Sequence, residues 1–508
     1  MSVIRNIVLG TFMFVSFSLQ SDTAAKIPVP GRYSFEADSF RNYLDRRVPE
    51  LMRHYKIPGV SLSVLKKGRI LWSDSYGYAD IQAGRKMTND SYYRVESLSK
   101  SLTAWGVMKL IEQGRLDPDQ PVMTYFKNRV IPDSEYSEES VTVRMLLSHT
   151  AGMPLGSIGL RYAPGEKKPA LRQQLLADAF LKQEPGRSFS YSNTGFNILE
   201  ALIEEITERD FSEYMKNELL LPLGMEHSSF DWNESFNDQI PKGYDLKGNP
   251  VPVYVYAEKA SGGLFASVAD IAAFLAAGMT NDSVADRKVI NTQSINELYM
   301  PRADIHGFYG LAFDAYGFGH FIESLSNGRI AVSHGGQGTG WMTHFHSVPS
   351  TGDGIVILTN SQRSWLLISH LLTDWAGWNG FSGVGMSRIL LGEKIIRTLI
   401  VLLLSLLLWQ AGRLIIAVFS GRRRFRLLSG TSGLKSYVYF GCFVIIASCL
   451  ILAVTRKYLF ISSLYPSSSR WLGYSLAFGS FLFLMSSFFP SITKSKGGCV
   501  HFPCNTAE

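Results

Sequence analysis

Residues 93–114 read YRVESLSKSLTAWGVMKLIEQG, and this stretch carries the pattern from which the fold and the chemistry follow. Its apolar positions recur at helical spacing from Ser97 to Glu112, and Gly114 is a typical helix end. Ser97 and Lys100 lie one turn apart on one face, with Cβ atoms roughly 5–6 Å apart. The stretch therefore predicts an amphipathic helix that presents a hydroxyl and an amine together.

This pair of side chains suits nucleophilic catalysis. A serine hydroxyl becomes a useful nucleophile only when a neighbouring group takes its proton. Lys100 can do so if burial keeps its amine neutral, and a helix N-terminus favours the negative charge that develops. Ser-x-x-Lys also occurs at Ser63, Ser432 and Ser491, where a solvated surface pair is the simpler interpretation. Only Ser97 opens a helix with an apolar face, so it is the predicted nucleophile.

A second pattern, Tyr-Ser-Asn at residues 191–193, follows a Pro-Gly turn and precedes a predicted helix over 193–207. A phenol near Lys100 can be held as a phenolate, or share a proton with the lysine, and act as base and acid. Asn193 can hydrogen-bond a substrate amide or position the lysine. The alternative is that Asn193 caps the helix and Tyr191 packs in the core.

A third pattern, His-Gly-Gly-Gln-Gly at residues 334–338, ends a predicted strand. Glycine in a strand lets another backbone approach closely, so a substrate could lie along this edge. We expect His334 and Gly336 to line the edge, with the Gln337 N–H as an oxyanion donor beside that of Ser97. The alternative is a tight bend beside an ordinary histidine.

In this order, the three patterns resemble the serine β-lactamase and penicillin-binding protein superfamily. The most similar branch is the class C-like family of D,D-carboxypeptidases, D-aminopeptidases and esterases. The resemblance covers residues from about 40 to 362. Further matching segments are Tyr93-Arg94-Val95, Gly114-Arg115-Leu116, the run from Leu146 to Pro154, and Gly262-Gly263-Leu264.

The resemblance implies a role for each residue of the three patterns. Ser97 would be the acylated nucleophile, Lys100 and Tyr191 the general base pair, and Asn193 a contact to the substrate amide. His334 stands where the lactamases carry the lysine of Lys-Thr-Gly. A neutral imidazole is a poorer carboxylate anchor than an ammonium group, so this departure disfavours β-lactamase activity and favours a peptidase or esterase.

The middle of the chain has strand patterns at both ends and helical patterns between them. A hairpin is predicted over Gly59–Asp80, and strands return over Arg329–Asn360. Further helices are predicted over Ala170–Leu181 and Ser267–Met279. We expect an α+β fold, in which an antiparallel sheet closed by the two ends is flanked by helices; the resemblance adds a mostly helical subdomain of the β-lactamase type.

The start of the chain indicates export. Residues 1–25 resemble a signal peptide, with Arg5 ahead of a short apolar stretch and small residues for cleavage. An extracytoplasmic hydrolase domain would then occupy residues 26–385, followed by a linker at 386–397.

The end of the chain indicates a membrane anchor. Three apolar runs are each long enough to cross about 30 Å of hydrocarbon. A cluster of arginines at 422–426 follows the first run, so this loop and the tail at 491–508 should be cytoplasmic and the hydrolase domain outside. The predicted transmembrane helices cover residues 398–419, 437–454 and 471–489.

Composition also bears on which partners, cysteine chemistry and metal sites are expected. The net charge of +7 is concentrated near the apolar runs rather than in a folded patch, so no nucleic-acid partner is predicted. All four cysteines follow residue 441, which leaves the hydrolase domain without a disulfide or a thiolate.

His344 and His346 share a strand face but lack a third ligand nearby, so neither a metal nor a cofactor is expected. His149 is interpreted as structural.

The predicted function is a membrane-anchored serine peptidase or amidase that acts beside a D-amino acid on a small peptide or acyl substrate. The architecture also resembles peptidases that mature exported antibiotic-type precursors by removing an acyl-D-amino-acid leader. Two alternatives stay open: a cell-wall D-alanyl carboxypeptidase, esterase or penicillin-binding protein, and a non-catalytic β-lactam-sensing membrane protein. The sequence does not give the oligomeric state.

Overall fold

The computed structural model describes residues 36–156, 160–280, 289–381, 383–428, 433–455 and 460–491. The predicted signal peptide and nearly all of the predicted tail lie outside these ranges. The chain forms two compact units, one covering residues 24–392 and the other containing residues 393–508.

The first unit is built on a nine-stranded sheet with the order β3-β2-β1-β13-β12-β11-β10-β9-β8, and all its pairings are antiparallel. Two further two-stranded sheets pair β4 with β7 and β5 with β6. The strands are β1 (Gly59–Lys66), β2 (Arg69–Asp80), β3 (Arg85–Lys86), β4 (Tyr93–Arg94), β5 (Gly243–Tyr244), β6 (Pro250–Val251), β7 (Phe265–Ala266), β8 (Ala303–Asp304), β9 (Ala315–Tyr316), β10 (Phe321–Ser324), β11 (Ile330–Gln337), β12 (Met342–Val348) and β13 (Asp353–Thr359).

The sheet is closed by strands from the two ends of the unit, as predicted. Strand β1 pairs with β13 in a register that sets Leu62 opposite Ile357. The hairpin of β1 and β2 turns at Lys67 and Gly68, both with positive φ (52° and 79°), the conformation of a tight type I′ turn. The α+β expectation is confirmed.

In the middle of the chain, the helices of the first unit lie close to their predicted bounds, and the helix over residues 193–207 matches its prediction at both ends. Short 3-10 turns, among them Glu96–Leu98 and Tyr309–Leu311, connect the longer elements. The helices are α1 (Ala37–Tyr55), α2 (Ser99–Glu112), α3 (Val143–Leu147), α4 (Leu171–Asp178), α5 (Asn193–Thr207), α6 (Phe211–Met215), α7 (Val268–Ala277), α8 (Thr292–Leu298) and α9 (Trp365–Trp378).

Helices cover both faces of the sheet. Neighbouring residues of β12 show this, because Phe345 packs on Phe274 of α7 whereas His346 packs on Trp375 of α9. Helix α1 joins α9 on the second face. Helix α5 packs against α2, α3 and α4 and forms the predicted helical part of the unit.

Among the residues described after 386, the structure has four helices: α10 (Ser387–Phe419), α11 (Leu434–Thr455), α12 (Phe460–Leu464) and α13 (Pro466–Phe488). Three of them, of 33, 22 and 23 residues, are long and apolar enough to cross a membrane. The expected linker at 386–397 is instead helical, since α10 begins at Ser387. Its charged residues include an Arg397–Glu393 pair one turn apart, which is compatible with a helix but breaks the apolar pattern.

Candidate active site

The predicted nucleophile lies in a short turn ahead of the helix. Residues Glu96–Leu98 form a 3-10 turn, and α2 begins only at Ser99. Glu96 has a φ of 54°, a left-handed conformation that stops the α-helix from extending further back. Ser97 is partly exposed while Lys100 is fully buried, so the hydroxyl faces the solvent and the amine lies beneath it.

Lys100 is held by three oxygen atoms. Its Nζ lies 3.2 Å from Ser97 Oγ, 2.7 Å from Asn193 Oδ1 and 2.6 Å from the backbone oxygen of Ser261. Burial lowers the pKa of Lys100 well below its usual value, and the negative charge of Glu96 opposes this effect.

The number of hydrogen-bond donors on a neutral amine shows which partner its lone pair faces. The oxygens of Asn193 and Ser261 are amide carbonyl oxygens, which only accept hydrogen bonds. A neutral amine has two N–H donors, so those two acceptors use both and leave its lone pair facing Ser97 Oγ. The arrangement therefore allows the serine hydroxyl to donate its proton to Lys100.

The N-terminus of α5 brings the second pattern to the same place. Ser192 caps the helix by accepting from the Gly195 N–H at 2.9 Å, and it also donates to Pro154 O at 2.5 Å. Tyr191 is partly exposed, and the Lys100 amine lies 5.0 Å from its ring centre. The cap thus fixes the phenol and the Asn193 amide on either side of the lysine.

The phenolate form considered for Tyr191 does not fit this environment. Burial raises the pKa of Tyr191, the nearby Tyr309 adds to the rise, and the proximity of Ser97 opposes it only in part. The neutral lysine is therefore the better base, and the protonated phenol is a hydrogen-bond donor within reach of Ser97.

Strand β11 lies directly behind the nucleophile. A Cβ added at Gly336 would lie 2.1 Å from Val95 O and 2.2 Å from Thr343 Oγ1, so only glycine fits there. Thr343 Oγ1 also donates to Val95 O at 2.7 Å and ties β12 to the same turn. The backbone that approaches these glycines closely is that of Val95, and the substrate edge expected there stays a prediction.

The Gln337 side chain turns away from the pocket. Its Oε1 accepts a hydrogen bond from Trp365 Nε1 at 2.8 Å, at the start of α9. Any contact of Gln337 with a substrate would therefore come from its backbone. The expected oxyanion donor is its backbone N–H.

The expected contact of His334 with substrate is wrong, because its side chain is fully buried. Nε2 lies 3.1 Å from Tyr316 Oη and Nδ1 lies 2.9 Å from Gly335 O, so both ring nitrogens already have partners. Burial lowers the pKa of His334 well below its usual value, and the neighbouring Lys100 adds to this. A neutral imidazole beneath the site supports its neighbours and cannot anchor a carboxylate.

His149 has the structural position that was expected. Its Nδ1 accepts the Ser192 N–H at 3.2 Å, and its ring centre lies 4.4 Å from that of Tyr191. Because burial lowers its pKa strongly, the imidazole stays neutral and can accept the Ser192 N–H while its ring packs on that of Tyr191.

Sequence reasoning did not find the buried Glu96 cluster. Glu96 accepts from Arg94 Nε at 3.0 Å, Tyr254 Oη at 3.0 Å and Tyr256 Oη at 2.8 Å. Arg94 also donates to Gly262 O at 3.3 Å, next to the carbonyl that holds Lys100. A charged residue directly before the predicted nucleophile was the available signal, since a buried carboxylate needs partners.

His344 and His346 lie on the face of the sheet covered by α9, and both are fully buried. Their rings stack at 5.9 Å, away from the Ser97 pocket. Within the described ranges, no group of three or more histidine, cysteine, aspartate or glutamate residues is placed to hold a metal ion.

Comparison with known proteins agrees with this geometry. The family model "Beta-lactamase" matches residues 44–367. The chain is 25% identical over 439 residues to Protein flp of Staphylococcus aureus (strain N315), covering 84% of each chain. It is 27% identical over 347 residues to Penicillin-binding protein 4* of Bacillus subtilis (strain 168), covering 64% of this chain and 72% of that protein. A structure of SurE with D-Leu superposes with a TM-score of 0.54 at 25% identity, over 66% of this chain and 74% of SurE.

Proposed function

Since the chain belongs to the beta-lactamase family of serine hydrolases, we propose that it is a serine peptidase or amidase that works through an acyl-enzyme on Ser97. The observation that carries the proposal is the 3.2 Å contact between Ser97 Oγ and a buried lysine whose two other partners are acceptors. This contact gives the hydroxyl a base, which a surface Ser-x-x-Lys pair does not have.

In the acylation step, Ser97 Oγ attacks the substrate carbonyl carbon as its proton moves to Lys100. The new Oγ–C bond forms, and the oxyanion receives the backbone N–H groups of Ser97 and Gln337. When the C–N bond breaks, the leaving amine takes a proton from the Tyr191 hydroxyl, which regains one from Lys100. The amine product leaves and the acyl group stays as an ester on Ser97.

Deacylation reverses these proton transfers with water in place of the amine. A water molecule gives its proton to the Lys100–Tyr191 pair and attacks the ester carbon. The Oγ–C bond then breaks, Ser97 recovers its proton, and the acid product is released. The same residues therefore serve both steps, and no metal or cofactor is needed for the proton balance.

We place the scissile bond beside a D-amino acid. Two relatives support this choice: one is named as a penicillin-binding protein, and the other was solved with D-Leu. Maturation of an exported antibiotic-type precursor is a specific form of this activity, which the three C-terminal apolar helices favour because they suit a membrane-anchored enzyme.

Membrane anchoring with the hydrolase domain outside the cytoplasm is also part of the proposal. The helices α10, α11 and α13 are each long enough to span the hydrocarbon. The arginine-rich segment 422–426 between α10 and α11 favours a cytoplasmic loop there, which puts the start of α10 outside.

Substrate panels on the purified full-length protein test the activity. The panel comprises acyl-D-Asn peptides, their L-Asn counterparts, D-Ala-D-Ala peptides and 4-nitrophenyl esters. We expect turnover of D-configured peptides, preference over the L forms, and loss of at least about a thousandfold in kcat for Ser97→Ala at unchanged expression. Equal activity of Ser97→Ala, or cleavage of L forms alone, would refute the proposal.

A cell-wall D-alanyl carboxypeptidase is the second candidate, favoured by the similarity to Penicillin-binding protein 4*. The same panel separates the two, because this alternative requires the D-Ala-D-Ala peptides to be cleaved in preference to acyl-D-Asn peptides. A single burst without turnover would instead indicate a sensor that is acylated and stalls.

A further inference from the structure

On both sides of residues 157–159, the described chain is tied to the neighbourhood of Ser97. On one side, Leu155 O accepts the N–H of Asn193 at 2.9 Å. On the other side, Tyr162 and Val255 exchange two backbone hydrogen bonds of 3.0 and 2.9 Å. Leu155 is thus fixed to a residue that holds Lys100, and Tyr162 is fixed to the neighbour of Tyr254.

Arg161 lies next to Tyr162, with its guanidinium over the ring of Tyr254. The distance from Arg161 Cζ to the ring centre is 5.2 Å, a typical cation–π separation. The side chain is exposed, and within the described part of the chain it forms no ion pair. Arg94 contacts the same ring at 4.3 Å, but its charge is matched by Glu96.

Tyr254 connects Arg161 to the reacting centre. Its hydroxyl donates to Glu96, the residue before Ser97, and accepts the N–H of Thr339 at 3.0 Å, just beyond the end of β11. The Tyr254 hydroxyl therefore lies where the nucleophile turn and the end of β11 come together, and Arg161 lies over the ring of the same residue. The charge of Arg161 is open to an anion from solvent.

The other basic groups of the pocket do not offer such a charge. Lys100 is fully buried, and burial lowers its pKa well below the usual value. His334, in the position of the lysine of related lactamases, is buried and has partners on both ring nitrogens. An anionic group on a substrate would therefore meet Arg161.

We propose that Arg161 binds a carboxylate on the substrate, which makes the enzyme selective for anionic acyl donors. The inference rests on the proposed function, because it concerns the substrate of the Ser97 site. A guanidinium binds a carboxylate through two parallel hydrogen bonds, and stacking on Tyr254 holds it in one orientation before substrate arrives.

Two esters of matched length test the proposal: 4-nitrophenyl hydrogen glutarate, which carries a terminal carboxylate, and neutral 4-nitrophenyl pentanoate. The measured quantity is the ratio of kcat/KM for the two esters. We expect Arg161→Gln to lower this glutarate-to-pentanoate ratio by about tenfold to a hundredfold, and Arg161→Glu to lower it further, as expected for loss of a charge-assisted pair. The control Arg69→Gln removes an exposed arginine from β2 and should leave the ratio unchanged.

An unchanged ratio in Arg161→Gln would overturn the proposal, even if kcat/KM for both esters fell by the same factor. A binding measurement distinguishes failure of this proposal from failure of the proposed function. The Kd of phenyl hydrogen glutarate for Ser97→Ala protein should rise when Arg161→Gln is added. If the wild type cleaves neither ester but this rise is seen, only the proposed function fails; if binding does not depend on Arg161, the carboxylate site fails.

Discussion

The proton affinity of Lys100 controls whether Ser97 can react. Burial removes water from the amine and favours its neutral form, while the buried carboxylate of Glu96 favours the ammonium form. His149 and His334, which also face this region, are kept neutral by burial, and Tyr191 keeps its proton. Glu96 is thus the charged group that most directly opposes deprotonation of the lysine.

This balance predicts a shift in the pH profile for Glu96→Gln. The ammonium form of Lys100 cannot accept a proton, so kcat/KM falls as pH drops through its pKa. Removal of the Glu96 charge lowers that pKa further, and the acid limb of kcat/KM should move to lower pH. Tyr256→Phe removes one hydrogen bond to Glu96 without changing the charge, and it should leave the limb in place. A shift of the Glu96→Gln limb to higher pH would contradict the account.

At the residue scale, the sequence predicted the groups that converge but not what holds them. Ser97, Lys100, Tyr191 and Asn193 lie close together, as their patterns indicated. The carbonyl of Ser261 was beyond prediction, because a backbone oxygen has no residue signature and is 161 positions from the lysine it binds. The burial of His334 was missed because its cover comes from Tyr316 and Phe321 on neighbouring strands, a tertiary contact that the strand pattern does not show.

At the scale of elements, β11 must approach the turn that carries the nucleophile. We predict that Gly336→Ala lowers both thermal stability and kcat, because its Cβ would overlap Val95 O and Thr343 Oγ1 and push the strand away. The expected loss of stability is about 1–3 kcal/mol, measured by denaturant unfolding.

Gly195→Ala is the matched control for this substitution. It lies in α5 near the same pocket, and its added Cβ would have its closest neighbour at 3.6 Å, an ordinary contact. Alanine also favours a helix over glycine, so this variant should be at least as stable as the wild type. Equal effects of the two substitutions would contradict the close approach.

Element boundaries were predictable where local chemistry marks them. Helix α5 has its predicted bounds because Ser192 is a strong N-cap in the sequence. Helix α10 begins eleven residues before the predicted membrane span at 398, and its first turns contain charged residues that hide the apolar pattern. The two-residue strands β8 and β9 are too short to show any periodicity, so the full width of the sheet was not predicted.

At the scale of the whole molecule, the pairing of β1 with β13 joins residues nearly 300 positions apart and makes the first unit a single closed body. The nucleophile turn, the α5 N-terminus and β11 belong to three distant parts of the chain, and this closure helps to hold them together. The α+β layout was predictable because strand patterns occur at both ends. The C-terminal helices were predictable because an apolar run of that length is typical of a membrane-spanning helix.

Covalent labelling of the full-length protein tests the central claim most directly. A fluorophosphonate probe reacts with an activated serine, and trypsin releases residues 95–100, which contain Ser97 and Ser99, as one peptide. The account predicts a single adduct that fragment ions assign to Ser97, no adduct in Ser97→Ala, and much slower labelling in Lys100→Ala. An adduct on Ser99 or on another serine, or turnover of substrate by protein that the probe leaves unlabelled, would contradict it.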